Sequence, residues 1–245
     1  MPILYFAPRI FIFSGFVFGV IILKKMNLKK LTVASMLTAV AFLCTFVFRF
    51  KAMFLTFDLK DAVISIISLL YGPFYGVASA GIVAFFEMIS MSDTGVYGMI
   101  MNFLSSGTFA LTCGMIYKYK RTFGGAIIAA VSSVVTVTTV MLLANIFITP
   151  YYMGQPQAVV ISLIPSLLLP FNLIKSVINA AIVLIIYKPV TGALKRVGLI
   201  PKGDKTGSFS FKSILLIVIS VVVIILAVLF LILVMGGSFE FIRAK

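Results

Sequence analysis

Apolar stretches of roughly twenty residues recur along this chain, with lysine and arginine gathered at their ends. That recurrence limits the fold more than any single motif. A bilayer core about 30 Å thick takes about 20 residues of helix to cross, and every spanning peptide group must find its hydrogen bond inside the protein. Of the 245 residues, 62% are hydrophobic and 11% charged, against about 25% charged in a soluble domain. Too little polar surface remains to cover a water-facing globule. The chain reads as an all-α, polytopic membrane protein with room for about six to eight helices.

The same composition removes whole chemistries. With no histidine there is no Ser-His-Asp triad and no histidine-based metal site. Cys44 and Cys113 both sit in apolar runs, too few for a zinc cluster or a disulfide framework, and read as packing residues. No catalytic residue and no metal site is expected. A formal charge of +14 would suit nucleic acid, but the bases flank apolar segments, which is the mark of membrane topology.

The first clear span covers about 31–48, behind Lys24, Lys25, Lys29 and Lys30. Tyr71-Gly72-Pro73 breaks the next apolar run into spans of about 59–71 and 74–91. A fourth, about 97–117, ends in Lys118, Lys120 and Arg121, and a fifth, about 124–148, is closed by Pro150. The sixth, about 162–187, carries Pro165 and Pro170 in its opening turns, and a last run, 213–235, is almost pure Ile, Val and Leu. With the first lysine cluster cytoplasmic, six spans also place Lys118–Arg121 and the basic stretch 188–212 inside. Both ends of the six-helix core are then cytoplasmic.

The expected organisation is a six-helix membrane domain at 26–196, a basic linker at 197–212, and an additional helix with a short tail at 213–245. Residues 1–25 form an apolar N-terminal segment that is either an extra helix or translated upstream sequence. Met26-Asn27-Leu28-Lys29-Lys30 looks like a natural start, which favours the second view. Gly198 to Thr206 imitates a phosphate loop, but Asp204 stands where lysine should follow the second glycine, so the motif fails.

Polar groups in hydrocarbon are functional candidates, since a charge at a helix centre costs about 2.5–3.5 kcal/mol on insertion scales. Four places stand out: the loop from Phe54 to Asp61, Asn102, the run Pro170-Phe171-Asn172-Leu173-Ile174-Lys175, and Glu87. Asn172 and Lys175 are three apart and share a helix face. Together with Asn102 they lie in the outer half of the membrane, as a polar cluster open to the exterior. Amides donate and accept while an ammonium only donates, a set suited to a flat heterocycle with alternating imide N–H and carbonyl groups. Phe54, Phe57, Phe103, Phe171 and Met101 are candidate apolar walls. Blander readings stand beside each of these. A membrane asparagine also serves as interhelical glue, a lysine near an interface snorkels, and Glu87 pairs with Lys60 or a headgroup. Asp58 and Asp61 equally suit the N-terminus of the second span.

At these residues the chain resembles the S components of the energy-coupling factor (ECF) vitamin transporters, in particular the riboflavin-specific branch. The resemblance runs from about Met26 to Arg196. It is carried by Thr56-Phe57-Asp58-Leu59-Lys60-Asp61, Tyr71-Gly72-Pro73, Thr94-Gly95 with Asn102-Phe103-Leu104, and most strongly by Pro170 to Lys175. It implies a six-helix bundle in a bacterial cell membrane that binds riboflavin as transported ligand, with no resident cofactor. It implies that Asn102, Asn172 and Lys175 meet the polar edge of the isoalloxazine ring, and that Leu55, Thr56, Phe57 and Asp58 belong to the segment closing over it. Its partners would be a transmembrane coupling protein, two ATPase subunits and membrane lipid, with no nucleic acid. The coupling protein would dock on the first helix at Ser35 and Ala39, where serine replaces the usual alanine.

Three rivals remain. Another vitamin's S component would share the bundle, and a thiamine binder would use more aromatic and acidic pocket residues. A lipid-modifying membrane enzyme would need clustered acidic metal ligands, which six scattered carboxylates do not supply. A purely structural membrane protein would use the buried Asn and Lys for packing alone.

Overall fold

The structure is a computed structural model that describes residues 28–52, 54–199, 211–234 and 239–241. The segment 1–25 and most of the linker 197–212 lie outside those residues. The chain divides into two compact units, residues 1–33 and 34–245. Of the first, only Leu28–Val33 is described, the opening turns of helix α1, where Thr32 Oγ1 donates to the Leu28 carbonyl at 3.0 Å.

Helix α1 (Leu28–Val47) runs on into the second unit. There Thr38 Oγ1 donates to Ser79 Oγ at 2.8 Å, and Phe42 meets Phe86 with ring centroids 5.8 Å apart, so α1 packs on helix α3 (Pro73–Ser90). The opposite face of α1 carries Ser35, Met36, Ala39, Val40 and Leu43, all exposed.

Between α1 and α3 the helix expected at 59–71 is present, and it is short. Helix α2 (Lys60–Tyr71) has 12 residues, about 18 Å at the α-helical rise of about 1.5 Å per residue. That is too short to cross a core of about 30 Å. Before it come strands β1 (Phe50–Ala52) and β2 (Leu55–Phe57), an antiparallel hairpin in the register Phe50↔Phe57, Lys51↔Thr56 and Ala52↔Leu55. Backbone groups of the hairpin find partners within the protein, the Thr56 carbonyl accepting from Lys175 Nζ at 3.3 Å, as non-helical backbone near the bilayer must. On its other edge β1 pairs with β3 (Phe239–Phe241). The bundle is helical as expected, and this small sheet is an addition to it.

Gly72 turns α2 into α3 with φ +106° and ψ 166°, backbone open essentially to glycine alone, and Pro73 starts α3 where its missing N–H would be unpaired anyway. Helix α4 (Gly95–Tyr119) packs tightly on this corner. A Cβ at Gly114 would stand 2.2 Å from Ser68 Oγ, and Ser68 Oγ donates to the Ala110 carbonyl at 2.5 Å. Small residues are what let these helices approach.

Helix α5 (Phe123–Met153) continues through Pro150 instead of stopping there, and ends at Gly154 in the left-handed conformation. Proline leaves the carbonyl four residues earlier without its helical partner. That carbonyl belongs to Ile146, and Gln157 Nε2 donates to it at 3.4 Å. The helix survives because a side chain replaces the lost bond. The sixth span is also longer than expected. It begins as α6 (Gln157–Leu163), passes through a π-helical turn at Ile164–Leu168, and continues as α7 (Leu169–Arg196). Pro165 lies inside the π-helical turn and Pro170 just after it. Among the described residues, α1, α3, α4, α5 and the composite Gln157–Arg196 helix are long and apolar enough to cross a membrane. Helix α8 (Phe211–Val234) adds Ile224 and Ala227 to a cluster formed by Val160, Leu168, Phe171 and Ile178. Cys113 is fully buried against Ser133, whose Oγ lies 3.2 Å from its Sγ, the packing role expected of it.

Candidate functional site

A cavity of about 750 Å³, counted with its open mouth, lies at one end of the bundle. The hairpin region contributes Arg49, Phe54, Leu55 and Thr56, and the turn before α4 contributes Ser92, Asp93 and Thr94. Helix α4 presents Gly98, Met101, Asn102 and Ser105, helix α5 Met141 and Tyr152, and helix α7 Phe171, Asn172 and Lys175. Apolar and aromatic walls with a few converging polar groups are the ordinary make-up of a small-molecule site.

The three polar residues singled out in the sequence meet here. Asn172 sits one helical turn past the π-helical turn, and its Nδ2 donates to the Leu168 carbonyl at 2.8 Å, which leaves its own oxygen as acceptor. Lys175 Nζ donates to Asp58 Oδ2 at 3.0 Å and to the Thr56 carbonyl at 3.3 Å. Asn102 Nδ2 donates to Glu87 Oε2 at 2.9 Å. The site therefore offers an ammonium and two amide oxygens, each anchored by protein partners. Anchored donors and acceptors bind with less loss of side-chain freedom than mobile ones.

Behind the cavity wall these anchors form one charged chain. Lys60 Nζ lies 2.8 Å from Glu87 Oε1 and from Glu87 Oε2, and 3.2 Å from Asp58 Oδ2. Asp58, Lys60 and Glu87 are all buried. Burial acts to raise the Asp58 carboxyl, but the Lys175 and Lys60 ammonium groups outweigh it and hold the pKa at about 2. Asp61, in the first turn of α2, accepts from Ser106 and, at 3.2 Å, from Ser105. Asn179 ties the corner together, its Oδ1 accepting from the Ala62 N–H at 3.0 Å while its Nδ2 donates to the Asp58 carbonyl at 3.1 Å.

Leu55 and Thr56 line the cavity, but Phe57 and Asp58 do not. Phe57 packs with Leu55, its neighbour on the same strand face, in the cluster with Val160 and Leu168, and Asp58 lies behind Lys175 as its counter-charge. Of the expected apolar walls, Phe54, Met101 and Phe171 line the cavity. Phe103 is 39% exposed and lies over Gly81 and Gly107, one helix position round from the cavity face. The pairing of Glu87 with Lys60 is present as anticipated. Arg49, Tyr152, Met141 and Asn179 gave no signal in the sequence. Arg49 Nη1 donates to the Met91 carbonyl at 3.1 Å, and its side chain borders the mouth. Ser35 and Ala39 are both exposed, one turn apart on α1.

Residues 29–187 match the family described as the ECF transporter, substrate-specific component. The chain belongs to that family. ECF substrate-specific components similar to it include the riboflavin transporter RibU of Staphylococcus aureus (strain TCH60), 29% identical over 187 residues, which are 71% of this chain and 98% of that one. The riboflavin transporter FmnP of Bacillus subtilis (strain 168) is 28% identical over 175 residues, 66% of this chain and 92% of its own. A solved structure described as the S component of a bacterial ECF transporter superposes with a TM-score of 0.58 at 29% identity, over 69% of this chain and 98% of that one. The ECF fold is thus shared from end to end of these relatives, and this chain is longer than the region they cover.

Proposed function

We propose that this ECF substrate-specific component captures riboflavin in the cavity between the hairpin, α4 and α7, and delivers it for ATP-driven import. One observation carries the reading: Asn102, Asn172 and Lys175, far apart in sequence, converge on a single cavity walled by Phe54, Met101 and Phe171. An isoalloxazine ring is flat and apolar on its faces and carries an imide N–H between two carbonyls on one edge. The Lys175 ammonium suits a ring carbonyl and one amide oxygen suits the single imide N–H, the other amide oxygen being left for a ribityl hydroxyl, and the aromatic and thioether groups suit the ring faces. The likeness to two riboflavin transporters supports the same ligand.

In this reading the cavity faces the exterior. Helices α4 and α7 line the cavity near their first turns and end in Lys118 and in Lys195 and Arg196, and basic helix ends mark the cytoplasmic side. The chain has no working phosphate loop, so the work of ATP hydrolysis belongs to partners: a transmembrane coupling protein and two ATPase subunits. The exposed Ser35 and Ala39 on α1 form the strip on which the coupling protein's helix docks, small side chains permitting close approach.

The test is direct. The protein purified in detergent is examined for flavin absorbance, stripped of ligand, and titrated with riboflavin by fluorescence quenching. Saturable one-to-one binding, competed by riboflavin and not by thiamine, is expected. A protein that neither carries flavin nor binds it loses this reading.

A further inference from the structure

We propose that Glu87, which does not line the cavity, is a positioning residue that decides which end of the Asn102 amide the ligand meets. The proposal rests on the riboflavin reading above. An ionised carboxylate only accepts hydrogen bonds, so it can engage an asparagine only through Nδ2. Glu87 Oε2 accepts from Asn102 Nδ2 at 2.9 Å, which turns Asn102 Oδ1 to the cavity as an acceptor. Glu87 is itself held in place: both of its oxygens accept from Lys60 Nζ at 2.8 Å, and it is buried near the end of α3. Without such a partner, an amide flips to suit whichever ligand edge it faces.

The consequence is a fixed polarity across the site. On the α4 side, Asn102 Oδ1 requires a donor from the ligand. On the α7 side, the Lys175 ammonium requires an acceptor, and Asn172 Oδ1 takes a second donor such as a ribityl hydroxyl. Lys60 and Asp58 link the two sides, since Lys60 also donates to Asp58 Oδ2, which in turn accepts from Lys175 at 3.0 Å. A flavin meets both demands on one edge, with its imide N–H toward Asn102 and a flanking carbonyl toward Lys175. A heterocycle of equal size without the N–H leaves a desolvated acceptor unpaired, and sites built around a ligand N–H or O–H reject such analogues strongly.

Riboflavin and its N3-methyl derivative are titrated against the wild type, Asn102→Ala, Glu87→Gln, Glu87→Asp and the double variants carrying Asn102→Ala. Wild type should prefer riboflavin by about tenfold or more. Each Glu87 variant should weaken riboflavin by about tenfold and shrink that preference, while adding no further loss in the Asn102→Ala background. Glu87→Asp keeps the buried negative charge beside Lys60 while drawing the oxygen shared with Asn102 back by one methylene, so it reports on positioning even where Glu87→Gln fails to accumulate. Losses that add in the double variants make Glu87 merely structural and overturn the proposal. So does a wild type that binds both flavins equally, a result that needs no variant to fold. A wild type that binds neither flavin fails the riboflavin reading itself and takes this proposal with it.

Discussion

Lys60 and Glu87 meet in the bundle interior with Nζ 2.8 Å from each carboxylate oxygen, and the pair supports the cavity from behind without entering it. A buried ion pair contributes little net stability against an apolar substitute, but breaking one half leaves an uncompensated charge. Here the pair is also the centre of a chain running from Asn102 to Lys175. Its disruption therefore bears on fold and site together.

Lys60→Met should lower stability by about 3–5 kcal/mol, because Glu87 is left buried without its ammonium partner. Adding Glu87→Leu should recover most of the melting temperature in detergent, measured by thermal unfolding, while riboflavin affinity stays low because Asn102 has lost its anchor. A single Lys60→Met variant that melts like wild type would show that water, and not the ion pair, solvates Glu87.

Asn172→Ala and Lys175→Met should weaken riboflavin binding by about tenfold or more without unfolding the bundle, the loss of one buried hydrogen-bond partner being about 1–3 kcal/mol. Asp58 keeps Lys60 in the lysine variant, so the buried acid is not abandoned. Fluorescence titration reads the affinity and size-exclusion chromatography the fold. Wild-type curves for both variants would move the ligand elsewhere.

Ser35→Leu with Ala39→Leu should leave flavin binding unchanged and abolish both co-purification with the coupling subunits and uptake. Both residues are exposed on α1, and neither lines the cavity. Added bulk there separates two helices without reaching the ligand. Loss of flavin binding would assign the pair to internal packing, and normal uptake would place the coupling contact on another face.

Asp58 supplies a pH signature. Its pKa is lowered from 3.8 to about 2, so the stability it contributes is complete above its unfolded value and is lost as pH falls toward the folded one. The difference in melting temperature between wild type and Asp58→Asn should hold from pH 7 down to about 5 and shrink between about 4 and 2. A difference that already closes between pH 7 and 5 would mean that Lys175 and Lys60 do not hold the carboxylate ionised.

The helical class, the membrane setting and the sequence of spans were legible because they rest on local properties. Apolar length, lysine flanks and the Gly72-Pro73 break each act within a few residues of where they are read. Pro150 misled for a non-local reason: the carbonyl it orphans is repaired by Gln157, across the turn that follows the helix. The hairpin before α2 was likewise hidden, since strands of three residues carry no readable period and β1 takes one of its partners from β3 near the chain's other end.

At the site, Asn102, Asn172 and Lys175 were found by one signal, a polar group where hydrocarbon should be, and that signal is independent of geometry. The sequence alone determined which residues were costly enough in a membrane to need a purpose. Only the tertiary structure decided what each one does. Packing against Val160 and Leu168 took Phe57 from the cavity, helix rotation removed Phe103, and Asp58 became the counter-charge of Lys175. A hydrogen bond is directional over about 3 Å, whereas sequence patterns place a side chain only on a face. The Asn102 Nδ2 is held by a carboxylate on another helix, and no spacing along the chain records it.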